Sequence, residues 1–285
     1  MKNPLKIWSL ALLAALTVLS ALPARAENQI QIKGSDTMVN LVQAWAEKYM
    51  EKDPASFIAV TGGGSGTGIS ALISGTCDIA MSSREIKNKE REMAAKKNTD
   101  PKEFKVALDG LAVVVHPSNP VSKLTMTQLA DIFTGAVKNW KEVGGQDMPF
   151  VVLSREVNSG THVYFKEHIL SQGDNQREFT PDALLLSSSQ AIADEVSQNS
   201  AAIGYYGMGY ISEKHKPVAI AKTSGDEYVQ PTIEDVRSGR YPISRPLLMY
   251  TPGKPKDAVK GFIDFILSPE GQAIVEKEDF VPIAH

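Results

Sequence analysis

Three short stretches concentrate the residues able to do chemistry. They are "GSDT" at 34–37, "TGGGSGTG" at 61–68 and "SREVNSGT" at 154–161. Each is dense in glycine and hydroxyl side chains, and each separates a β-like run from a helix-like run. The first turn of a helix leaves backbone N–H groups without intrahelical partners, and the helix dipole adds partial positive charge there. Glycine lets a ligand approach those groups, and serine or threonine adds a hydroxyl donor. A strand, a Gly/Ser loop and a helix together make a cradle for an anion. One such loop is better explained by ordinary N-capping; three of one kind point to a shared oxyanion. Arg155 stands four residues before Ser159, where a guanidinium can grip an oxyanion with two parallel hydrogen bonds. Arg84, after the "MSS" that ends another strand-like run, is a second cation for the site or the partner of Glu85 or Glu90.

Other chemistries find less support. The glycine-rich stretch lacks the G-K-[ST] ending of a nucleotide-binding P-loop, and Ser65 sits in "GGSGT", not in a G-x-S-x-G nucleophile elbow. The five histidines show no metal-ligand spacing, so neither a metal nor a cofactor is expected. His162 and His168 are placed by their spacing on a helix surface. A net charge of −3 offers no attraction for nucleic acid. A secreted phosphatase using Ser65 or Ser159 as nucleophile would need a base that the sequence does not display.

The elements that must position these residues alternate. β-like runs at 29–33, 56–62, 77–83, 105–117, 149–156, 201–207, 216–221 and 246–251 are interleaved with helical periodicity at 38–50, 69–75, 84–98, 162–173, 190–199, 258–267 and 269–278. Thr125 and Gln128 have the spacing of a capping box ahead of a further helix that ends at Gly135. This alternation predicts an α/β fold with largely parallel sheets. The chain has 285 residues, enough for one or two domains with a full core. Lys2 and Lys6, the apolar run Ile7–Leu22 and the small-residue site Ala24-Arg25-Ala26 read as a cleaved secretory signal, with the mature chain starting at Glu27. Cys77, the single cysteine, is expected to be a small core residue.

At these residues the chain resembles the periplasmic phosphate-binding proteins, the substrate-binding subunits of phosphate ABC transporters. The likeness spans essentially the whole mature chain and is carried by "GGGSGTGISALISGTCDIAMSSRE", "IFTGAVKNWKEVGG", "VVLSREVNSGT", "AAIGYYGMGY" and "RPLLMYT". It implies a two-lobe, type II binding-protein fold with inorganic phosphate sealed between the lobes. Lobe 1 would be 27–108 plus 245–285 and lobe 2 would be 109–244, with hinges in "DGLAVVV" and "YPISRP". Carried over one position at a time, the phosphate contacts would be Thr37 and Met38, Ser65, Ser83, Arg155, Ser159, Gly160 and Thr161, with Arg84 as an added candidate. Many relatives have an aromatic residue at the position of Met38. Some have an aspartate at that of Ser83, where it accepts the proton of hydrogen phosphate. A carboxylate there is satisfied by phosphate and repels proton-free sulfate, so Asp36 is the candidate proton acceptor in its place, with Glu85 and Glu156 behind it; the other reading of Asp36 is a capping or salt-bridging residue. The resemblance further implies a monomer of the periplasm that hands its ligand to a membrane permease and catalyses nothing. The same fold carrying sulfate or molybdate is the alternative that the Ser83 departure leaves open.

Overall fold

The computed structural model describes residues 28–171 and 177–283, so the signal segment lies outside the described residues. The elements follow in order. The first half opens with β1 (Gln29–Gly34), α1 (Val39–Lys52), β2 (Phe57–Thr61), α2 (Ser65–Ile73), β3 (Ile79–Ser82) and α3 (Asn88–Lys96). The long β4 (Lys102–Val115) leads to β5 (Lys123–Thr125), α4 (Met126–Phe133), β6 (Val151–Arg155) and α5 (Gly160–Phe165), which runs on as a π-turn to Leu170. Then come β7 (Leu184–Leu186), α6 (Ser189–Gln198), β8 (Ala202–Gly207), β9 (Lys216–Pro217), β10 (Ala219–Ala221), α7 (Ile233–Arg237), β11 (Ser244–Thr251), α8 (Asp257–Leu267) and α9 (Pro269–Lys277).

The strands join in the order β2-β1-β3-β11-β4-β8-β6-β7. β4 is shared between two half-sheets. Its first part, from Lys102 to Gly110, pairs with β11, and its second part, from Leu111 to Val115, pairs with β8. The pairing changes hands at Gly110/Leu111, which falls inside the expected "DGLAVVV" crossing. The sheet is mixed, not largely parallel. β1 is parallel to β2 and β3, and β6 to β7 and β8, but β11 runs antiparallel to β3 and β4, and β4 antiparallel to β8. The physical reason is the double crossing. β4 leaves the first half and β11 returns to it, so the two run in opposite directions through one sheet.

That topology decides where the loops go. Because β1, β2 and β3 are parallel, their C-terminal ends share one edge. β11 is antiparallel to β3 with Leu248 opposite Ser82, so its N-terminal residues, Arg245 among them, reach the same edge. In the second half β6 and β8 are parallel and end at Arg155 and Gly207, with Gly207 opposite Leu111. Both half-sheets therefore present loop-bearing ends to one cleft, the usual ligand position in open α/β sheets.

Local signals explain the boundaries. The expected capping box forms: Thr125 Oγ1 accepts from the Gln128 N–H and Gln128 Oε1 from the Thr125 N–H, at 3.1 and 2.9 Å. α2 starts at Ser65, inside the glycine stretch, and α3 starts at Asn88 instead of Arg84, with Glu90 accepting from the Lys87 N–H. Trp45 and Trp140 are fully buried, and their indole N–H groups donate to Gly271 O and Ala201 O. Cys77 is buried and its thiol is pushed up to about 12, by burial first and then by Asp78; a thiol held protonated behaves as a core residue.

His162 is a correction to the expectation of a surface pair. His168 is exposed, but His162 is buried against Phe179, with ring centroids 4.5 Å apart, and lies 3.2 Å from Ser154 Oγ through Nδ1. Burial pushes the His162 imidazole below its ordinary value of 6.5, and burial shifts His215 the same way. A depressed histidine favours the fold while it is neutral. Its stabilisation is complete above the unfolded value and is lost as pH falls through the folded one, because the unfolded chain takes the proton first. We expect urea midpoints to fall between about pH 7.5 and pH 5.5, and the fall to be smaller in His162→Gln; equal falls in the two proteins would remove His162 from the account.

Candidate functional site

The cleft gathers the three predicted loops and a fourth. After β1, Ser35 precedes, and Thr37 stands on, a single 3-10 turn (Asp36–Met38) that leads into α1. After β2, Gly64 has φ 92°, a left-handed backbone that favours glycine, and it turns the chain into α2 at Ser65. After β3 comes Ser83, and after β6 the chain reaches Ser159, Gly160 and Thr161 at the start of α5. Thr37, Ser65, Ser83 and Thr161 are all fully buried.

Their hydroxyls form one chain. Thr37 Oγ1 and Thr161 Oγ1 are 2.8 Å apart, Thr161 Oγ1 is 3.5 Å from Ser83 Oγ, and Ser83 Oγ is 3.4 Å from Ser65 Oγ. Ser35 Oγ donates to Ser83 Oγ at 2.9 Å, and the Ser83 N–H donates to Ser65 Oγ at 3.1 Å. Residues 124 positions apart thus meet at a single point. Gly160 closes the cluster: a Cβ there would lie 2.2 Å from Ser65 Oγ and 2.7 Å from Ser83 Oγ. Ser159 caps α5, its Oγ accepting from the Thr161 and His162 N–H groups, which leaves its own hydrogen to donate elsewhere.

The two predicted arginines are placed differently from these hydroxyls. Arg155 is buried, and every nitrogen of its guanidinium donates within the protein. Nε reaches Leu186 O, Nη1 reaches Ser189 Oγ at 3.1 Å, and Nη2 reaches Asp36 Oδ2 and Ser187 O, each at 2.8 Å. Burial pushes its pKa down and Asp36 opposes that shift. Arg84 forks onto Glu90, with Nη1 and Nη2 at 2.8 and 2.6 Å from its carboxylate oxygens; it is in that ion pair and makes no hydrogen bond to the hydroxyl chain. Met38 packs its side chain into the core, and its N–H donates to Ser35 O.

Asp36 has both carboxylate oxygens engaged. Oδ1 accepts from the Gly63 N–H at 3.0 Å and Oδ2 from Arg155. It is a strut between the two sides of the cleft as the structure stands, which is a different position from that of a free proton acceptor facing a ligand. Glu85 and Glu156, behind it in the sequence argument, are both exposed. Further links cross the cleft. The Gly66 N–H donates to Asn158 O at 3.0 Å, Asn158 Nδ2 donates to Gly63 O at 2.9 Å, and the Tyr210 hydroxyl donates to Asp36 O at 2.7 Å. A Cβ on Gly64 would come within 2.7 Å of Asn158 O, so the approach of these loops depends on glycine.

Sequence reasoning missed Ser35, Asn158 and, above all, Asp109 and Arg245. Arg245 Nε and Nη2 both donate to Asp109 Oδ2, at 2.9 and 2.8 Å, and neither side chain is exposed to solvent. Nη2 also lies 3.1 Å from Thr161 Oγ1 and 3.5 Å from Thr37 Oγ1. Asp109 Oδ1 accepts from the Met208 N–H at 3.0 Å. Burial pushes the Asp109 carboxyl upward, and Arg245 and the Met208 N–H pull it back. The available signal was a lone acid in the apolar run "VALDGLAVVV" and a lone base heading "RPLLMYT". Among the described residues no group of three or more His, Cys, Asp or Glu side chains is arranged to hold a metal ion, and no helix is long and apolar enough to cross a membrane.

Comparison with known proteins gives consistent relatives. The model of the PBP superfamily domain matches residues 20–270. The chain is 35% identical over 267 residues to the phosphate-binding protein PstS of Pseudomonas aeruginosa, covering 88% of this chain and 81% of that one. A solved structure from Clostridium perfringens, assigned as a phosphate ABC transporter substrate-binding protein and containing bound phosphate, superposes with a TM-score of 0.82. It is 36% identical, over 90% of this chain and 100% of that one. The ABC-type phosphate transport receptor of Vibrio cholerae gives a TM-score of 0.71 at 32% identity, over 89% of this chain and 100% of that one.

A buried ion pair stripped of one member leaves an uncompensated charge. Asp109→Asn, which strands the Arg245 guanidinium, is expected to lower the stability of the ligand-free chain by about 3–5 kcal/mol. Urea denaturation measures this, and a loss under about 1 kcal/mol would mean that the pair is not buried as described.

Proposed function

This chain belongs to the PBP superfamily and, within it, to the PstS family of phosphate-binding proteins, and we propose that it captures inorganic phosphate in the cleft and delivers it to a membrane ABC transporter. The fold is the two-lobe α/β fold of type II periplasmic binding proteins. The observation that carries the reading is the buried chain of four hydroxyls supplied by four separate loops at the ends of two half-sheets. A tetrahedral oxyanion has enough acceptor oxygens to take a bond from each. Water is excluded there, so each donor acts at low dielectric, where a hydrogen bond to a charged group is at its strongest.

The mechanism follows from the topology. The strand pairing changes partners at Gly110/Leu111, and β11 begins at Ser244, which supports lobes of 27–108 plus 245–285 and of 109–244 that turn about these two crossings. Hinge closure around a ligand is the general motion of periplasmic binding proteins. In the closed form Thr37, Ser65 and Ser83 come from the first lobe and Ser159, Gly160 and Thr161 from the second. An anion bound to both sets ties the lobes together. The closed shape is then the signal a transporter can read, and Asp36–Arg155 and the Asn158 contacts add latches across the same gap. Capture and release complete the cycle without catalysis. The protein works as a monomer in the periplasm after signal removal and needs neither a metal nor nucleic acid.

Selectivity is the finer question. With both oxygens of Asp36 engaged by Gly63 and Arg155, its geometry supports a latch more directly than a proton acceptor. Asp36→Asn should therefore weaken phosphate and sulfate binding by similar factors. A loss of preference for phosphate over sulfate, with phosphate affinity retained, would restore Asp36 as the acceptor.

Titration calorimetry of the mature chain tests the reading. We expect phosphate to bind at micromolar affinity or tighter, about −8 kcal/mol or better. Gly160→Ala places a methyl against Ser65 and Ser83, and binding should weaken at least tenfold, about 1.4 kcal/mol. Wild-type chain that prefers sulfate or molybdate would shift the assignment to another oxyanion, and release of product from a chromogenic phosphate ester would favour a phosphatase.

A further inference from the structure

Arg245 is 2% exposed, and its Nη1 is buried with no hydrogen-bond partner. Asp109 occupies only the Nε and Nη2 edge of the guanidinium, through a single oxygen. Buried donors are almost always satisfied, and one attached to a charged group is especially costly to leave bare. The geometry therefore calls for an acceptor beside Nη1. Nη2 already touches the Thr161 and Thr37 hydroxyls, so that acceptor would sit next to the hydroxyl chain. Tyr164 covers the guanidinium, with its ring centroid 5.4 Å from the central carbon, and its hydroxyl donates to Ser244 O. Arg245 also lines a cavity of about 540 Å³ between the lobes, with Arg84, Glu85 and Lys87 on one side and Tyr164, Glu167 and His168 on the other. Arg155 presents a contrast, since each of its nitrogens already has a protein acceptor.

We propose that Arg245, and not Arg155 alone, is the guanidinium that contacts the bound oxyanion, giving Nη1 to one of its oxygens, and that the anion reaches it through the cavity between the lobes. The proposal rests on the oxyanion-binding reading given above and names a charged ligand residue for that site. Asp109 has a defined part in it. It orients the guanidinium and balances its charge when the site is empty, while leaving the Nη1 edge open. A planar fork with one edge held and one edge free is something arginine provides and lysine does not. Because the residue sits where β11 leaves the second crossing, an anion held by it is anchored at the hinge side of the cleft while the outer loops close.

The experiment is calorimetry with inorganic phosphate on the mature chain and two variants. Arg245→Gln combined with Asp109→Asn replaces the ion pair by a neutral hydrogen-bonding pair, so no buried charge is stranded. This double variant should melt cooperatively and bind phosphate at least 30-fold more weakly than wild type, with a smaller phosphate-induced rise in Tm. Arg245→Lys keeps the charge and loses the fork; it should bind at least tenfold more weakly and serves if the double variant does not fold. Phosphate binding within threefold of wild type in whichever variant folds would overturn the proposal and leave the phosphate assignment intact. Wild-type chain that binds sulfate in preference to phosphate, with the same Arg245 dependence, would support the proposal and overturn the phosphate assignment. Wild-type chain that binds neither anion would sink both.

Discussion

A charged group can be buried only beside its opposite, and that constraint shapes the whole cleft. Two guanidiniums lie inside it, and each has one carboxylate: Asp109 for Arg245 at the crossing strands, Asp36 for Arg155 across the gap. The first pair joins β4 to β11, the two segments that connect the halves. The second joins the halves to each other. The two pairs thus cancel in formal charge, and what the site offers an anion is oriented dipoles: four hydroxyls and a partly engaged fork. Taking a single unpaired cation out of water would cost several kcal/mol before any ligand arrived. Pairing removes most of that cost while keeping donors aimed inward.

The same arrangement explains why closure and binding are one event. In the structure the hydroxyls of Thr37 and Thr161 bond to each other across the cleft, as do the loops at Gly66 and Asn158. Hydroxyls that serve as each other's partners can exchange those bonds for stronger, charge-assisted bonds to an oxyanion. Arg245 Nη1, bare in the structure, gains its acceptor from the anion in the arrangement proposed above. The hydroxyls keep partners in either state, so the closed form tolerates both occupancies. The energy difference between them comes from the quality of the bonds, and not from burying new apolar surface. This is the pattern of a carrier that must release its ligand as well as hold it.

Much of this was legible in the sequence, because the information was local. A strand, a glycine-hydroxyl loop and a helix can be read from a dozen consecutive residues, and the loops carrying Thr37, Ser65 and Ser159–Thr161 lie together at the cleft. The Thr125–Gln128 capping box was readable for the same reason. What escaped was non-local. Arg245 reaches the site only because β11 runs antiparallel to β3 with Leu248 opposite Ser82, and Asp109 only because β4 pairs with both half-sheets. A pairing register between segments so far apart in the chain leaves no mark in composition or periodicity. Its one trace was a solitary acid in the apolar run "VALDGLAVVV" and a solitary base heading "RPLLMYT". The expectation of largely parallel sheets failed on the same point, since a chain that crosses between halves twice must run one crossing backward. His162 was misplaced because α5 packs its first turn against Phe179, a tertiary contact that helical spacing does not reveal.

The central claim is spatial: one oxyanion, reached from both lobes, at the hydroxyl chain. A crystal structure of the mature chain with phosphate measures it directly. The account predicts the phosphate oxygens within hydrogen-bond distance of Thr37, Ser65, Ser83 and Thr161, with Arg245 Nη1 facing one of them. Phosphate bound elsewhere, for example beside Lys87 and His168 with the hydroxyl chain unchanged, would contradict it.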